Sequence, residues 1–283
     1  IHAGDNPLSS IDVSTNTSLS KLAIYNTQLS SLDLSENSAL TELEVPYNQL
    51  TNLDLSANSG LQTLYCQNNQ LTSLNIQIAN NTNLVTFDAR GNSSLHCIQV
   101  DDVTYMNTNW STYKNASALF SIDCGCIVNI PDANFKNAVL ADLAINTNND
   151  GEIQCYEAAL FNGHLNLYGT GTSDLTGIEA FPAITSLSIN GNNISTVDLS
   201  ANTALVSIEA GGSSISSFTL PSTNTLTYLV CEYNQLTNLD LSVCPALTEV
   251  WCRGNQLTSL NLSNNIALNY LYAGQNNLSS LDV

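Results

Sequence analysis

Apolar and polar residues alternate along this chain over short stretches, each stretch ends near an asparagine, and the pattern returns at a fixed interval. Leu22, Leu43 and Leu64 recur every 21 residues, as do Leu187, Ile208, Leu229, Val250 and Leu271. A period in the twenties marks a solenoid, in which each unit buries its apolar face only against its neighbours. One full unit reads LTNLDLSANSGLQTLYCQNNQ, residues 50–70, and holds two similar halves, L-x-L-x-x-N and L-x-C-x-x-N. Period-two alternation predicts a short strand with one buried face, and the Asn falls where the chain must turn. The expected fold is mainly β: flattened coils with two short parallel strands each, a core of stacked Leu, Ile, Val and Cys, and little helix.

Asn37, Asn58 and Asn202 share one turn position, and Asn48, Asn69, Asn192, Asn234, Asn255 and Asn276 share the other. A buried amide can pair the backbone groups of its own turn with those of the neighbouring coil, so these columns are expected to form hydrogen-bonded ladders. Cys244 takes an Asn position in SVCPAL, where a small buried donor fits. Cys66, Cys231 and Cys252 share the inward position of their repeats and are expected to be reduced core residues.

These residues resemble leucine-rich repeats, specifically the short bacterial 21-residue kind with a cysteine position, similar to an internalin with a cysteine ladder and to surface proteins of Bacteroidota. The resemblance covers most of the chain and implies extracellular binding or adhesion; the periodicity alone implies only a solenoid. Two arrays are expected, at 1–94 and 181–283. The first fades into a segment at 95–126 that carries Tyr105, Trp110, Tyr113 and Phe120. That segment is similar to the C-terminal cap of Bacteroidota repeat proteins, a likeness that implies a staple between Cys97 and Cys124. A second cap is expected at 127–180, where Asp132 would cap a helix with Phe135, Val139, Leu140 and Leu143 on one face. Cys126 and Cys155 fall outside both ladders, and whether they pair is left open. The register places Ile1 and the final LSSLDV inside repeats, so a longer natural protein is expected.

The cap segment contains NTNNDGEIQCYE, residues 146–157. Oxygen-bearing side chains occupy loop positions 1, 3, 5 and 12 as Asn146, Asn148, Asp150 and Glu157. Gly151 stands at the sharp turn, Glu152 would offer its backbone carbonyl, and Ile153 tucks inward, the spacing of an EF-hand-like calcium loop. A structural Ca2+ is the expected cofactor. With Asn at the first position and no second such loop, the expectation is a calcium pin of modest affinity, not a sensor. The likeness to the N-terminal caps of Bacteroidota repeat proteins implies the same.

Charge narrows the partners. Lys and Arg total 5 against 24 Asp and Glu, for a net charge of −19. Such a chain repels phosphate backbones and anionic lipid, which disfavours nucleic acid and acidic membranes. No apolar run approaches the roughly 18 residues that would suggest a membrane span. One outward column is acidic, Asp12, Asp33, Asp54, Asp198, Asp240 and Asp282, interrupted by Asn75, Thr219 and Asn261. Three readings compete for it: hydrogen bonding within each turn, cation binding, and catalysis. Ice binding is opposed because the regular row is Asp and not Thr.

The opposite strand face varies, and in the second array it gathers Tyr228, Val230, Glu232, Trp251, Arg253, Tyr270 and Tyr272. Aromatics beside an Arg suit a protein interface or stacking against sugar rings; the plainer reading is that they pack on neighbouring coils. His2, His96 and His164 fit no ligand or triad pattern, and no phosphate loop, G-x-S-x-G or H-E-x-x-H occurs. The expectation is a non-catalytic protein, extracellular or at a cell surface, that presents this face to a protein or glycan. The alternative is a glycan-binding accessory region of a secreted polysaccharide-active enzyme.

Overall fold

A computed structural model describes residues 1–282; the last residue assigned to the second array, Val283, lies outside the described residues. The chain divides into two compact units, Ile1–Cys126 and a second beginning at Ile127.

In the first unit the strands are β1 (Lys21–Ala23), β2 (Glu42–Glu44), β3 (Asn52–Asp54), β4 (Thr63–Tyr65), β5 (Ser73–Asn75), β6 (Thr86–Asp88), β7 (Cys97–Gln99) and β8 (Leu119–Ser121), with helix α1 (Val103–Trp110) between the last two. They form two parallel sheets, β1-β2-β4-β6 and β3-β5-β7-β8, so each regular coil gives one strand to each sheet. In register, Leu22 faces Leu43 and Leu43 faces Leu64. All three are fully buried, as the alternation demands, because the middle residue of each three-residue strand points into the coil. The backbone turns at the end of the first sheet's strand by way of a left-handed residue once per coil, at Asp5, Asn26, Tyr47 and Asn68.

The segment expected to lose the repeat at 95–126 instead continues the second sheet: Leu74 pairs with Ile98, and Ile98 with Phe120. The spacing there stretches beyond 21 residues because a short helical turn at Asn81–Asn83 is inserted ahead of β7 and α1 with its flanking turns stands between β7 and β8, so periodicity fades in the sequence while the ladder persists. This helix was not anticipated; Asp102 caps it by accepting from the Tyr105 N–H at 2.9 Å. Trp110 packs edge-on to Phe87 and Tyr113, and Phe87 meets Phe120 at 6.0 Å, which covers the last coil with aromatic rings.

In the second unit, helices α2 (Ala133–Ala141) and α3 (Cys155–Leu160) precede β9 (His164–Asn166). There follow β10 (Ser186–Ser188), β11 (Thr196–Asp198), β12 (Ser207–Glu209), β13 (Ser217–Thr219), β14 (Tyr228–Val230), β15 (Glu249–Trp251), β16 (Ser259–Asn261), β17 (Tyr270–Tyr272) and β18 (Ser280–Asp282). One sheet runs without a break, β9-β10-β12-β14-β15-β17, while the other is split into β11-β13 and β16-β18. The continuous sheet begins at β9, where Leu165 faces Leu187, inside the segment read as a helical cap. Phe135 and Val139 of α2 are buried as expected and Leu140 packs against the core. Leu143 is 67% exposed, because the helix ends at Ala141 and the chain leaves the apolar face.

Both asparagine columns are buried ladders. Asn58 donates to the carbonyls of Leu34 and Asn37 one coil back; Asn255 donates to those of Cys231 and Cys252 and accepts from the Leu236 N–H. The ladders also contain Asn92 and Asn265. Cys244 substitutes for Asn by donating its thiol to the Pro221 carbonyl at 3.1 Å. Among the described residues, no helix is long and apolar enough to cross a membrane.

Candidate functional sites

The loop at 146–157 is shaped by its own side chains. Asn149 and Gly151 take left-handed conformations, which lets the chain reverse tightly. Asn148 Oδ1 accepts from the Asp150 N–H and Asp150 Oδ1 from the Glu152 N–H, successive turns that wind the loop. The buried Glu157 carboxylate accepts from Thr147 N and Oγ1 at 2.8 Å and from Asn148 N through Oε1, and from Gln154 N through Oε2. Ile153 is buried, and its carbonyl accepts from the Val128 N–H. Glu152 turns its side chain away from the loop to an ion pair with Lys136 of α2, at 2.6 Å.

Asn146 is the informative member. It is 2% exposed; its Nδ2 donates to the Leu140 carbonyl, while its Oδ1 is buried without a hydrogen-bond partner. An unpaired buried oxygen is costly, and a cation would relieve it, although Asn37, Asn58, Asn202 and Asn265 of the ladders also leave a buried Oδ1 unpaired. Of the five expected ligands, Asn148, Asp150, Glu152 and Glu157 spend side-chain oxygens on hydrogen bonds or an ion pair, and no group of three or more His, Cys, Asp or Glu gathers to hold a metal among the described residues, so Asn146 is the one whose oxygen favours calcium. Gln154, which the spacing rule passes over, joins the cluster by donating to Asp150 Oδ2 at 2.8 Å and accepting from Asn148.

Asp12, Asp33, Asp54, Asp198 and Asp240 each accept the backbone N–H of the Ser two residues on, at 3.0 Å. Those bonds lower the carboxyl pKa of Asp12, Asp33 and Asp198, and the Ser242 hydroxyl followed by its N–H lowers that of Asp240. Asn75 and Asn261 make the same bond with an amide oxygen. A shallow depression of about 300 Å³ lies between Asp33 and Asp54. Their side chains are committed to their own turns and offer no contrasted acid and base.

Outward positions of β14, β15 and β17 assemble the aromatic face. Parallel register sets Tyr228 beside Glu249 and Glu249 beside Tyr270 in one column, and Val230 beside Trp251 and Trp251 beside Tyr272 in the next. Trp251 meets Tyr270 at 5.2 Å between centroids and Tyr272 edge-on at 5.3 Å, and its indole N–H donates to Glu249 Oε1 at 2.6 Å. Arg253 lies over the rings of Tyr233 and Tyr272 at 5.5 and 5.4 Å, and donates to the Tyr272 hydroxyl and to Gln275. The rings therefore pack on one another and still reach solvent, with Tyr270 45% and Tyr233 52% exposed. Tyr233, Glu249 and Gln275 belong to this surface and escaped the sequence reading; Tyr233 and Gln275 stand just outside the strands, yet the 21-residue register aligns both with Gly254.

Cys97 and Cys124 form a disulfide, and Cys126 and Cys155 are each disulfide-bonded as well. Cys66, Cys231, Cys244 and Cys252 are free and buried. Burial pushes the thiol pKa of Cys244 and Cys252 up to about 11 and that of Cys66 and Cys231 well above the ordinary value, so they are poor nucleophiles. His164 Nδ1 lies 2.8 Å from Ser186 Oγ, which also accepts from Ser207, on the exposed sheet face. No carboxylate among the described residues hydrogen-bonds this histidine, so the constellation of a hydrolytic triad is not formed.

Solved structures similar to the chain include the functional domain of InlJ from Listeria monocytogenes, which includes a cysteine ladder. It is 22% identical, over 96% of this chain and 52% of that one, at a TM-score of 0.32. An LRIM1/APL1C complex is 18% identical over 95% and 42% of the two chains, at 0.41. An internalin, inlF, from Listeria monocytogenes is 17% identical over 95% and 82%, at 0.32. The chain spans about half the length of the first of these. No protein-family model matches the chain, and no curated protein matches it.

Proposed function

We propose that this chain is a non-catalytic interaction or adhesion protein, extracellular or at a cell surface, that presents the face of β14, β15 and β17 to a partner while a calcium ion organises the cap of the same unit. The single observation that carries the reading is the contiguous outward patch of Tyr228, Trp251, Arg253, Tyr270 and Tyr272 on a rigid in-register sheet. Aromatic and Arg side chains held at fixed spacing lose little entropy on docking, which is how interface hot spots are built. The disulfides at Cys97–Cys124 and at Cys126 and Cys155 support an oxidising compartment.

Calcium would be held by Asn146, Asn148, Asp150, the Glu152 carbonyl and Glu157. Its chemistry there is electrostatic cross-linking of a loop whose Asn146 already grips the end of α2. Calorimetric titration with Ca2+ and thermal melts with and without a chelator test this part: calcium should raise the Tm, and Asn146→Ala should abolish both heat and shift. A Tm indifferent to chelation would remove calcium from the proposal. For the face, panels of surface proteins and glycans are screened with the wild-type chain and with Trp251→Ala. Protein binders lost with Trp251 support the reading, glycan binders lost with Trp251 favour the accessory-region alternative, and binders indifferent to Trp251 place the partner surface elsewhere.

A further inference from the structure

The partner-facing sheet carries its own demonstration of what its rings hold. Arg253 is the lone Lys or Arg between residues 181 and 283, and its guanidinium rests on two tyrosine rings, not on a carboxylate. It does so although Glu232 occupies the equivalent position on the adjoining coil, 21 residues earlier. Three carboxylates on this face, Glu209, Glu232 and Glu249, have no ion-pair partner among the described residues; the ion pairs are Lys21–Glu42, Arg90–Asp88 and Lys136–Glu152. All three bear on one ring: burial first, and then the fields of Glu209, Glu249 and Glu232, raise the pKa of the Tyr228 phenol. Negative charge and π faces therefore converge on one surface, and its one cation, Arg253, is engaged by Tyr233, Tyr272 and Gln275 and pairs with none of these carboxylates.

We propose that this face takes an arginine or lysine side chain of a partner protein, seated against Trp251 and Tyr270 with Glu249 and Glu232 as its counter-charges. The inference rests on the reading of this sheet as the partner surface and names the chemistry that surface selects. A cation over an indole or phenol ring is attracted by the ring quadrupole, most of all over Trp. Carboxylates on neighbouring coils, whose strands lie about 4.8 Å apart, add a Coulomb term that strengthens as water leaves the interface. Room for a side chain and its backbone lies alongside, where Gly212 and Gly274 border open space: a methyl group on either α-carbon would meet nothing within 4 Å beyond its chain neighbours. The acidic balance of the whole chain would draw a basic segment in before contact is made.

Calorimetry with the full chain and three peptides of equal length tests the inference, the peptides alternating Gly with Arg, Gly with Gln, or Gly with Glu. The Gly-Arg peptide should bind at least about tenfold more tightly than the Gly-Gln peptide, and the Gly-Glu peptide should not bind. Glu232→Gln with Glu249→Gln, a pair that keeps the indole hydrogen-bond acceptor, should cost about tenfold, and Trp251→Ala at least as much. Replacing Asp12, Asp33 and Asp54 by Asn should leave the affinity within about twofold, because those carboxylates accept from the backbone of their own turns and belong to no strand of the sheet that carries Trp251. Equal losses from both sets of acidic replacements would reduce the binding to general attraction and overturn the proposal. Gly-Gln bound as tightly as Gly-Arg, and lost in Trp251→Ala, would also overturn it while leaving the face as the partner surface. Gly-Arg bound equally by wild type and Trp251→Ala, or not at all, would sink the cation seat; only the protein and glycan screen then bears on the face itself.

Discussion

Asp132 ties the cap of the second unit to its first coil, and removing it should loosen that junction measurably. Its Oδ1 accepts from the N–H groups of Asn134 and Phe135 at 2.9 Å and so caps α2. Its Oδ2 accepts from Ser173 N and Oγ at 2.8 Å and from Asp174 N at 3.2 Å, across 41 residues of chain. Loss of an N-cap costs about 1 kcal/mol. Loss of the charged acceptor on the far side costs about 2 kcal/mol more, taken at the low end because water reaches the site. Asp132→Ala should therefore lose about 3 kcal/mol locally, a fall of about a hundredfold in hydrogen-exchange protection of the 133–141 amides. Partial burial works to raise the pKa of this carboxyl, but the bonds from Phe135, Ser173 and Asp174 outweigh it and hold it at about 2, below the ordinary 3.8. A depressed folded pKa stabilises above the unfolded value, so the advantage of wild type over Asp132→Asn should be complete above pH 3.8 and vanish as pH falls through about 2. Protection within threefold of wild type, or a gap between the two chains that does not close in acid, would refute the argument.

Two further outcomes follow from the ladders. Asn255→Ala strands the buried Leu236 N–H, while the carbonyls of Cys231 and Cys252 keep donors in Asn234 and Asn276, and should cost about 2 kcal/mol in a urea transition followed by tryptophan emission; a loss below about 0.5 kcal/mol would mean the ladder is not a main support. Cys66, Cys231, Cys244 and Cys252 should stay silent towards an aromatic disulfide reagent in the native chain at mildly alkaline pH and release four thiols only on unfolding; rapid labelling of the folded chain would contradict their burial.

The solenoid was legible because its signal is repeated: a buried apolar residue at most strand centres and an Asn at most turns are enforced coil after coil by the same geometry. The same rule found Cys244 as an Asn substitute, since register and not residue type fixed its role. Where insertions stretch the spacing, as between Leu74 and Ile98 or Leu165 and Leu187, pairing distances survive but periodicity does not. The sheets therefore extend into both caps unseen. Helix α1 was hidden for a related reason: Val103–Trp110 buries Met106 alone, too little apolar periodicity to register. On the candidate face, spacing found the outward residues, but the coupling of Arg253 to Tyr233 and of Trp251 to Glu249 depends on rotamers that no periodicity encodes.

The turn at the acidic column needs only an oxygen that accepts the N–H two residues on, and Asn75 and Asn261 meet that need as well as Asp54 or Asp198 does. Charge at these positions is therefore surplus to folding. Its consequence is colloidal: strands β3 and β5, like β16 and β18, present Ser and Asn side chains on a regular surface with little else to keep two molecules from lying side by side. A file of like charges along that surface makes lateral stacking of copies repulsive at the coils that carry Asp, and it does so without altering a single intramolecular bond.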